Sequence, residues 1–303
     1  MKRVLVTGAG GFVGRHCLPL LTARGFEVHA VARSGAAPEG LESGASWHRA
    51  DLLEAAQVSE LLKRVRPTHL LHLAWYAEPG KYWTAVENLA WVQASLGLLQ
   101  QFALFGGRRV VVAGTCAEYD WRYGFCSEHL TPLLPRTLYG VCKQALHGML
   151  EAAAERLSLS AAWGRIFFLY GPHEHPARLV PHVIGGLLRR EAVACTEGTQ
   201  LRDYLYVRDV ASAFVSLLAS EATGAVNISS GQPVEVREIV YRIADQLEGR
   251  ELVRLGALPA PEGEPPLLVG DNARLKTEVG WTPAYSLPDG LAETIHWWRS
   301  LRS

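Results

Sequence analysis

The first fourteen residues constrain the fold more than any other stretch. Val4-Leu5-Val6-Thr7 reads as a short apolar strand, Gly8-Ala9-Gly10-Gly11 as a turn, and Phe12-Val13-Gly14 as the start of an amphipathic helix. Gly8, Gly11 and Gly14 recur every third residue. Glycine at these places permits a tight turn, close approach of backbone to a pyrophosphate, and close contact between helix and sheet. The free N–H groups of the helix then face the anion, so the segment predicts a dinucleotide site formed by Gly8, Gly11, Phe12, Val13 and Gly14.

The alternation of strand and helix continues through the first half of the chain. Apolar runs at 3–7, 27–32, 69–73, 109–113 and 162–168 read as strands, and 13–24, 57–66, 84–105 and 139–157 as helices. Uninterrupted apolar strands such as Val110-Val111-Val112-Ala113 suit a sheet covered on both faces. Right-handed βαβ crossovers wind such units into an α/β, Rossmann doubly wound parallel sheet. Beyond Gly171-Pro172 the pattern loosens. A helix at 180–190, a strand at 203–207, a helix at 209–220, a return strand at 225–229 and a terminal helix at 288–301 are expected. Four prolines between Leu258 and Pro266 mark a loop. The reading is residues 1–170 as a dinucleotide-binding domain and 171–303 as mainly a smaller α/β substrate-binding lobe.

Composition removes other classes. Thirty basic residues balance thirty acidic ones, so no nucleic-acid footprint exists. No apolar run approaches the ~18 residues that span a bilayer. The glycine turn comes too early for a signal peptide. Five cysteines without CxxC pairing argue against a disulfide framework or structural zinc, and fit the reducing cytoplasm.

The end of the second strand selects the cofactor. NAD sites place a carboxylate about 20 residues beyond the glycines, on the ribose hydroxyls. Here Val31-Ala32-Arg33-Ser34 has none. Arg33, with Ser34 or Arg15, is suited to a 2′-phosphate, so NADP(H) is favoured over NAD(H). Asp51-Leu52 either contacts adenine or caps a helix.

Tyr139-Gly140-Val141-Cys142-Lys143 sets a phenol and an ammonium at i and i+4 on one helix face. A nearby Lys⁺ favours the phenolate, which suits proton exchange with an alcohol or carbonyl oxygen. Thr115 closes the strand that begins at Arg109, at the sheet edge where ligands bind in open α/β folds, placed to share that oxygen. A sensor that merely binds nicotinamide has no need of Thr, Tyr and Lys at this spacing.

Together these residues resemble the extended short-chain dehydrogenase/reductase superfamily, in its nucleotide-sugar epimerase/dehydratase/reductase branch. Leu71-His72-Leu73-Ala74, Asn88, Arg165…Tyr170-Gly171-Pro172, Arg202-Asp203-Tyr204 and Gly280-Trp281-Thr282-Pro283 extend the likeness over nearly the whole chain. The resemblance implies Tyr139 as acid/base, Lys143 on the nicotinamide ribose, Thr115 orienting the substrate, and Leu73-Ala74 and Asn88 beside the cofactor. It also implies Arg202 on a substrate phosphate, Leu179-Val180 at the nucleobase, and a homodimer formed through helices 84–105 and 139–157. Two departures narrow the chemistry. Dehydratases follow the Thr with Asp-Glu, whereas Cys116-Ala117 stands here and Glu118 falls one place late. Phe168 replaces an Asn near the diphosphate. The expectation is NADP(H)-dependent reduction of a keto group on a nucleotide-activated (deoxy)sugar, with epimerisation as the alternative.

Other residues carry less. His173-Glu174-His175 lacks a third ligand at zinc spacing, so no metal is expected. Trp75, Tyr76, Tyr82, Trp83, Trp121 and Tyr123 either stack on a sugar or base or simply pack. Cys116 and Cys142 read as small buried fillers.

Overall fold

The computed structural model describes residues 2–41, 44–260 and 263–301. In chain order the first half runs β1 (Arg3–Thr7), α1 (Gly14–Ala23), β2 (Glu27–Ala32), β3 (Ser46–Arg49), α2 (Ala55–Val65), β4 (His69–His72), α3 (Glu87–Leu104), β5 (Arg109–Thr115), β6 (Phe125–Cys126), α4 (Leu138–Ala154) and β7 (Ser160–Ile166). The second half continues with β8 (Phe168–Tyr170), α5 (Leu179–Leu188), β9 (Val193–Ala194), β10 (Leu201–Tyr206), α6 (Val207–Ala219), β11 (Gly224–Ile228) and β12 (Pro233–Glu235). It ends with α7 (Val236–Gln246), β13 (Val253–Arg254), β14 (Leu267–Gly270), α8 (Ala273–Thr277) and α9 (Leu287–Ser300).

Seven parallel strands form the main sheet in the order β11-β7-β5-β4-β1-β2-β3. Successive strand residues point to opposite faces, and the two faces are visible in the packing. Val110 and Val112 join α2, α3 and α4 through Leu61, Leu62, Leu98, Phe102 and Leu146. Val111 and Ala113 join α1 and α6 through Leu18, Leu21, Phe214 and Leu218. All seven residues of β5 are buried, which explains a strand without polar alternation. The order reverses between β1 and β4, the switch point where open α/β sheets bind ligands.

A second sheet, β12-β10-β14-β6 with β8 also on β10, carries the other lobe. Its core is α5, α7 and α9 around Tyr170 and Tyr206.

The apolar run at 162–168 is not one strand. β7 ends at Ile166, and from Phe168 the chain pairs with β10 in the second sheet. Both segments are apolar because both are covered, so hydrophobicity could not reveal the transfer. α7 and strands β12 to β14 also lie where the sequence reading marks no element. The proline-rich loop falls partly on residues 261–262, outside the described residues. Among the described residues no helix is long and apolar enough to cross a membrane.

Candidate active site

The glycine turn is built by steric necessity. Gly8 has φ +68°, and a Cβ there would lie 2.8 Å from the Ala74 nitrogen. On Gly14 a Cβ would stand 2.2 Å from the Gly8 carbonyl oxygen, and on Gly11 it would stand 3.0 Å from the same oxygen. Gly11 N–H donates to that oxygen at 2.9 Å. Gly14 is thus required by the turn itself, a closer constraint than the helix–sheet contact expected. The first turn of α1 carries no acidic residue, which leaves its positive end available to an anion. This cradle fits a dinucleotide pyrophosphate. Phe12 and Val13 lean on the core of the second lobe.

The segment after β2 folds back over the turn, with Pro38 against Gly10. Arg33 and Ser34 are exposed on it, and Ser34 Oγ closes a local turn onto Ala36. Arg15 Nη2 reaches the Gly10 carbonyl at 3.5 Å, and its buried Nε has no hydrogen-bond partner among the described residues. Asp51 does not cap α2, whose N-cap is Glu54; its Oδ1 accepts from Leu53 N–H at 3.0 Å in a local turn ahead of the helix. Leu52 is buried among α2 residues.

Behind Leu73-Ala74 runs a buried polar chain. Thr7 Oγ1 meets His72 Nδ1 at 2.7 Å, His72 Nε2 meets Ser95 Oγ at 2.9 Å, and Ala74 N–H donates to Thr7 Oγ1 at 3.3 Å. Burial, aided by Lys143, drives His72 down to about 3, so it stays neutral and anchors this strip. Asn88 is fully buried. Its amide donates to the carbonyls of Tyr82 and Ala85, both at 2.8 Å, and accepts from Trp75 Nε1 at 2.7 Å. Those bonds engage both amide hydrogens and one lone pair of Oδ1, so Asn88 fastens the 75–85 segment.

Thr115, Tyr139 and Lys143 converge at the end of β5. Thr137 caps α4 by accepting from Gly140 N–H at 3.1 Å, and Tyr139 N–H bonds the Trp83 carbonyl at 3.1 Å. The Tyr139 phenol interacts with the Thr115 hydroxyl. Tyr82 stands edge-on to the Tyr139 ring at 4.9 Å and Trp83 at 5.8 Å, with Trp121 edge-on to Trp83 at 6.3 Å. Of the aromatics singled out, Tyr82 and Trp83 pack against the Tyr139 ring, Trp121 backs Trp83, Trp75 faces Lys143, and Tyr123 is exposed. Tyr76 bonds Glu78 at 3.1 Å.

The charge state differs from the expectation that Lys143 draws the phenol toward phenolate. Burial raises Tyr139, and burial lowers Lys143 to about 7 against the opposing pull of Glu118. Lys143 Nζ is 5.9 Å from the Tyr139 ring centroid. Its amine donates to the Ala113 carbonyl at 2.9 Å and lies 3.8 Å from the Trp75 ring centroid. Desolvation outweighs the attraction because the protein interior disfavours both charged forms.

Beneath Thr115 lies a residue the sequence reading set aside. Glu118 is fully buried and accepts from Thr115 N–H at 2.8 Å, Trp163 Nε1 at 2.9 Å and Arg165 Nε at 2.7 Å. Thr115 Oγ1 in turn accepts from Ala117 N–H at 3.2 Å. This reciprocal cap fixes Thr115 in place. The sequence signal of Glu118 was its place just after Thr115, one position late for the Asp-Glu pair of the dehydratases.

On the substrate side Arg202 differs most from expectation. Arg202 is 2% exposed, and its guanidinium donates to Glu264 Oε1 and the Leu201 carbonyl, each at 2.8 Å, and lies over Phe168 at 5.5 Å. A phosphate at Arg202 must therefore displace Glu264. Leu179 begins α5, but the Val180 side chain is buried in the lobe's core, so only its backbone can meet a base. Cys116 is buried, and its carbonyl accepts from Trp121 Nε1 at 2.9 Å. Among the described residues no group of three or more metal-type side chains gathers. The His173 ring packs tilted against Trp297 at 4.4 Å while Glu174 is buried.

A family model described as the NAD dependent epimerase/dehydratase family matches residues 4–229. The chain belongs to this family. Its members among the relatives are NAD-dependent epimerases and dehydratases, extended short-chain dehydrogenase/reductase enzymes. UDP-glucuronic acid decarboxylase 1 of Xenopus tropicalis is 28% identical, over 98% of this chain and 72% of that protein. The dTDP-6-deoxy-L-talose 4-dehydrogenase (NAD(+)) of Aggregatibacter actinomycetemcomitans is 26% identical, over 78% and 87%. A solved structure of MoeE5 in complex with UDP-glucose and NAD is 31% identical with a TM-score of 0.85, covering 100% of both chains. The present chain shares with these relatives an α/β fold built on a large Rossmann-like parallel sheet.

Proposed function

We propose that this family member catalyses NADP(H)-dependent reduction of a keto group on a nucleotide-activated deoxysugar. The observation that carries the reading is the poverty of acid/base groups at the end of β5. Tyr139 and Thr115 meet there, while the neighbouring carboxylate, Glu118, is sealed against Arg165 and Trp163. Such a site handles one oxygen and one proton, which suits carbonyl–carbinol exchange and not loss of water.

The nicotinamide cofactor, when bound, supplies or accepts the hydride. Gly8, Gly11 and Gly14 would cradle its pyrophosphate, with Phe12 and Val13 at the helix start and Leu73-Ala74 beside its ring. Lys143 would hold the ribose. Thr115 would orient the substrate oxygen and Tyr139 would deliver the proton to it. Arg202, once released by Glu264, would take a substrate phosphate near Phe168, with Leu179-Val180 backbone at the base and Cys116 lining the pocket. Residues 1–170 would serve the cofactor and 171–303 mainly the substrate. Exposed Val86, Leu89 and Leu104 around α3, with Val141 and Met149 on α4, support a homodimer through these helices.

The choice of NADP(H) rests on Arg33, exposed and without a carboxylate neighbour in the Ala32–Ser34 stretch. Arg33→Asp is expected to weaken NADPH binding by tenfold or more relative to NADH, about 1.4 kcal/mol or above, read by fluorescence titration with both cofactors. An unchanged ratio refutes the assignment. Epimerisation is the second reading, supported by relatives solved with NAD. The deciding experiment is mass spectrometry of nicotinamide released on denaturing the purified protein. Resident stoichiometric NAD indicates an epimerase. An empty site that prefers NADPH, followed by reduction of 4-keto nucleotide sugars, indicates the reductase.

A further inference from the structure

After β8 the chain turns at Gly171, and His173 adopts φ +70° without being glycine. Non-glycine residues seldom adopt this conformation, and it is often held where a side chain must be aimed. The residue it delivers is Glu174, 9% exposed, whose Oε2 is buried without a hydrogen-bond partner among the described residues. A buried, unmatched carboxyl oxygen is costly, and native proteins rarely keep one without a use.

Its surroundings locate that use. Arg178 and Tyr204 are its charged and phenolic neighbours, and Gly171 N–H its donor. Arg178 lies over the Tyr82 ring at 5.4 Å. Tyr82 in turn meets Tyr139 at 4.9 Å. On the other side Tyr204 stacks on Phe168 at 5.5 Å, which underlies Arg202. Glu174 and Arg178 thus sit between the expected phosphate end and the acid/base. Arg178 forms no ion pair within 4.0 Å among the described residues.

We propose that Glu174 is a substrate-binding residue whose free carboxyl oxygen pairs with a hydroxyl of the sugar ring, Arg178 serving the adjacent oxygen. An acceptor and a guanidinium side by side match a vicinal pair of ring oxygens. The inference rests on the nucleotide-sugar reading above. Burial raises Glu174 to about 8, so at neutral pH the carboxyl carries its proton and can also donate.

The test is calorimetric titration of the full chain with UDP-glucose and dTDP-glucose, each beside its free nucleoside diphosphate. Glu174→Leu is expected to weaken the sugar nucleotides by about tenfold or more, and Glu174→Gln by less, with the free diphosphates and NADPH held within about twofold. Equal weakening of the free diphosphates or of NADPH, or no weakening at all, overturns the proposal. If the unaltered protein binds neither sugar nucleotide nor diphosphate, the nucleotide-sugar reading itself fails and this inference with it.

Stability gives a second readout. A group raised from 4.5 to about 8 in the fold stabilises fully below the lower value and loses that contribution as pH rises through the higher one. Glu174→Gln removes the loss, so its Tm at pH 9 should exceed that of the unaltered protein while sugar affinity falls. A Gln variant less stable at every pH marks Glu174 as merely structural and overturns the proposal.

Discussion

Tyr139→Phe is expected to lower turnover by about 10²–10⁴-fold, the range for loss of a positioned general acid, with the fold intact. The ring is held by Tyr82 and Trp83 and the backbone by Trp83, none of which needs the hydroxyl. The phenol's role in the geometry is toward Thr115 and whatever oxygen they share. Cofactor affinity should therefore change little, while kcat falls. The measurement is steady-state reduction of a 4-keto nucleotide sugar, with Tm as control. Survival of turnover within a few-fold would remove Tyr139 from the mechanism.

Glu118→Ala should have the largest effect on stability. It leaves Arg165 buried with its charge uncompensated, and it strips the acceptor from Trp163 Nε1 and Thr115 N–H. Breaking one partner of a buried ion pair costs about 3–5 kcal/mol, a large share of the ~5–15 kcal/mol that holds a domain. The double variant Glu118→Met with Arg165→Met should recover much of this, since apolar replacement of a buried pair is often neutral. Recovery should be incomplete, because Trp163 and Thr115 remain without their acceptor. Urea denaturation of the two singles and the double measures the coupling. A Glu118→Ala protein as stable as the parent would show that the network does not hold Thr115 in place.

Much of the cofactor half was legible from residue order. Turn glycines, short apolar strands and the i, i+4 Tyr139–Lys143 pair are local patterns, governed by backbone sterics and helix geometry that operate over a few residues. For that reason the positions of Gly8, Gly14, Thr115 and Tyr139 could be argued before any tertiary contact was considered. Phe168 shows where the local argument stops: an apolar strand residue reads the same in either sheet, and only pairing with β10 assigns it to the second.

What tertiary structure alone decided concerns charge and partnership at a distance. Arg202 meets Glu264 sixty-two residues away, and Glu118 meets Arg165 forty-seven residues away. Trp75, next to the cofactor strip, is bound to Asn88 and lies against Lys143. Burial sets the charge of Lys143, His72 and Glu174, and it depends on which elements close over each group. Sequence by itself determined the doubly wound sheet and the glycine turn and singled out Thr115, Tyr139 and Lys143, because these rest on local patterns of strand, turn and helix. The folded chain decided which polar groups are spent within the protein and which, like the Glu174 carboxyl, are left for a ligand.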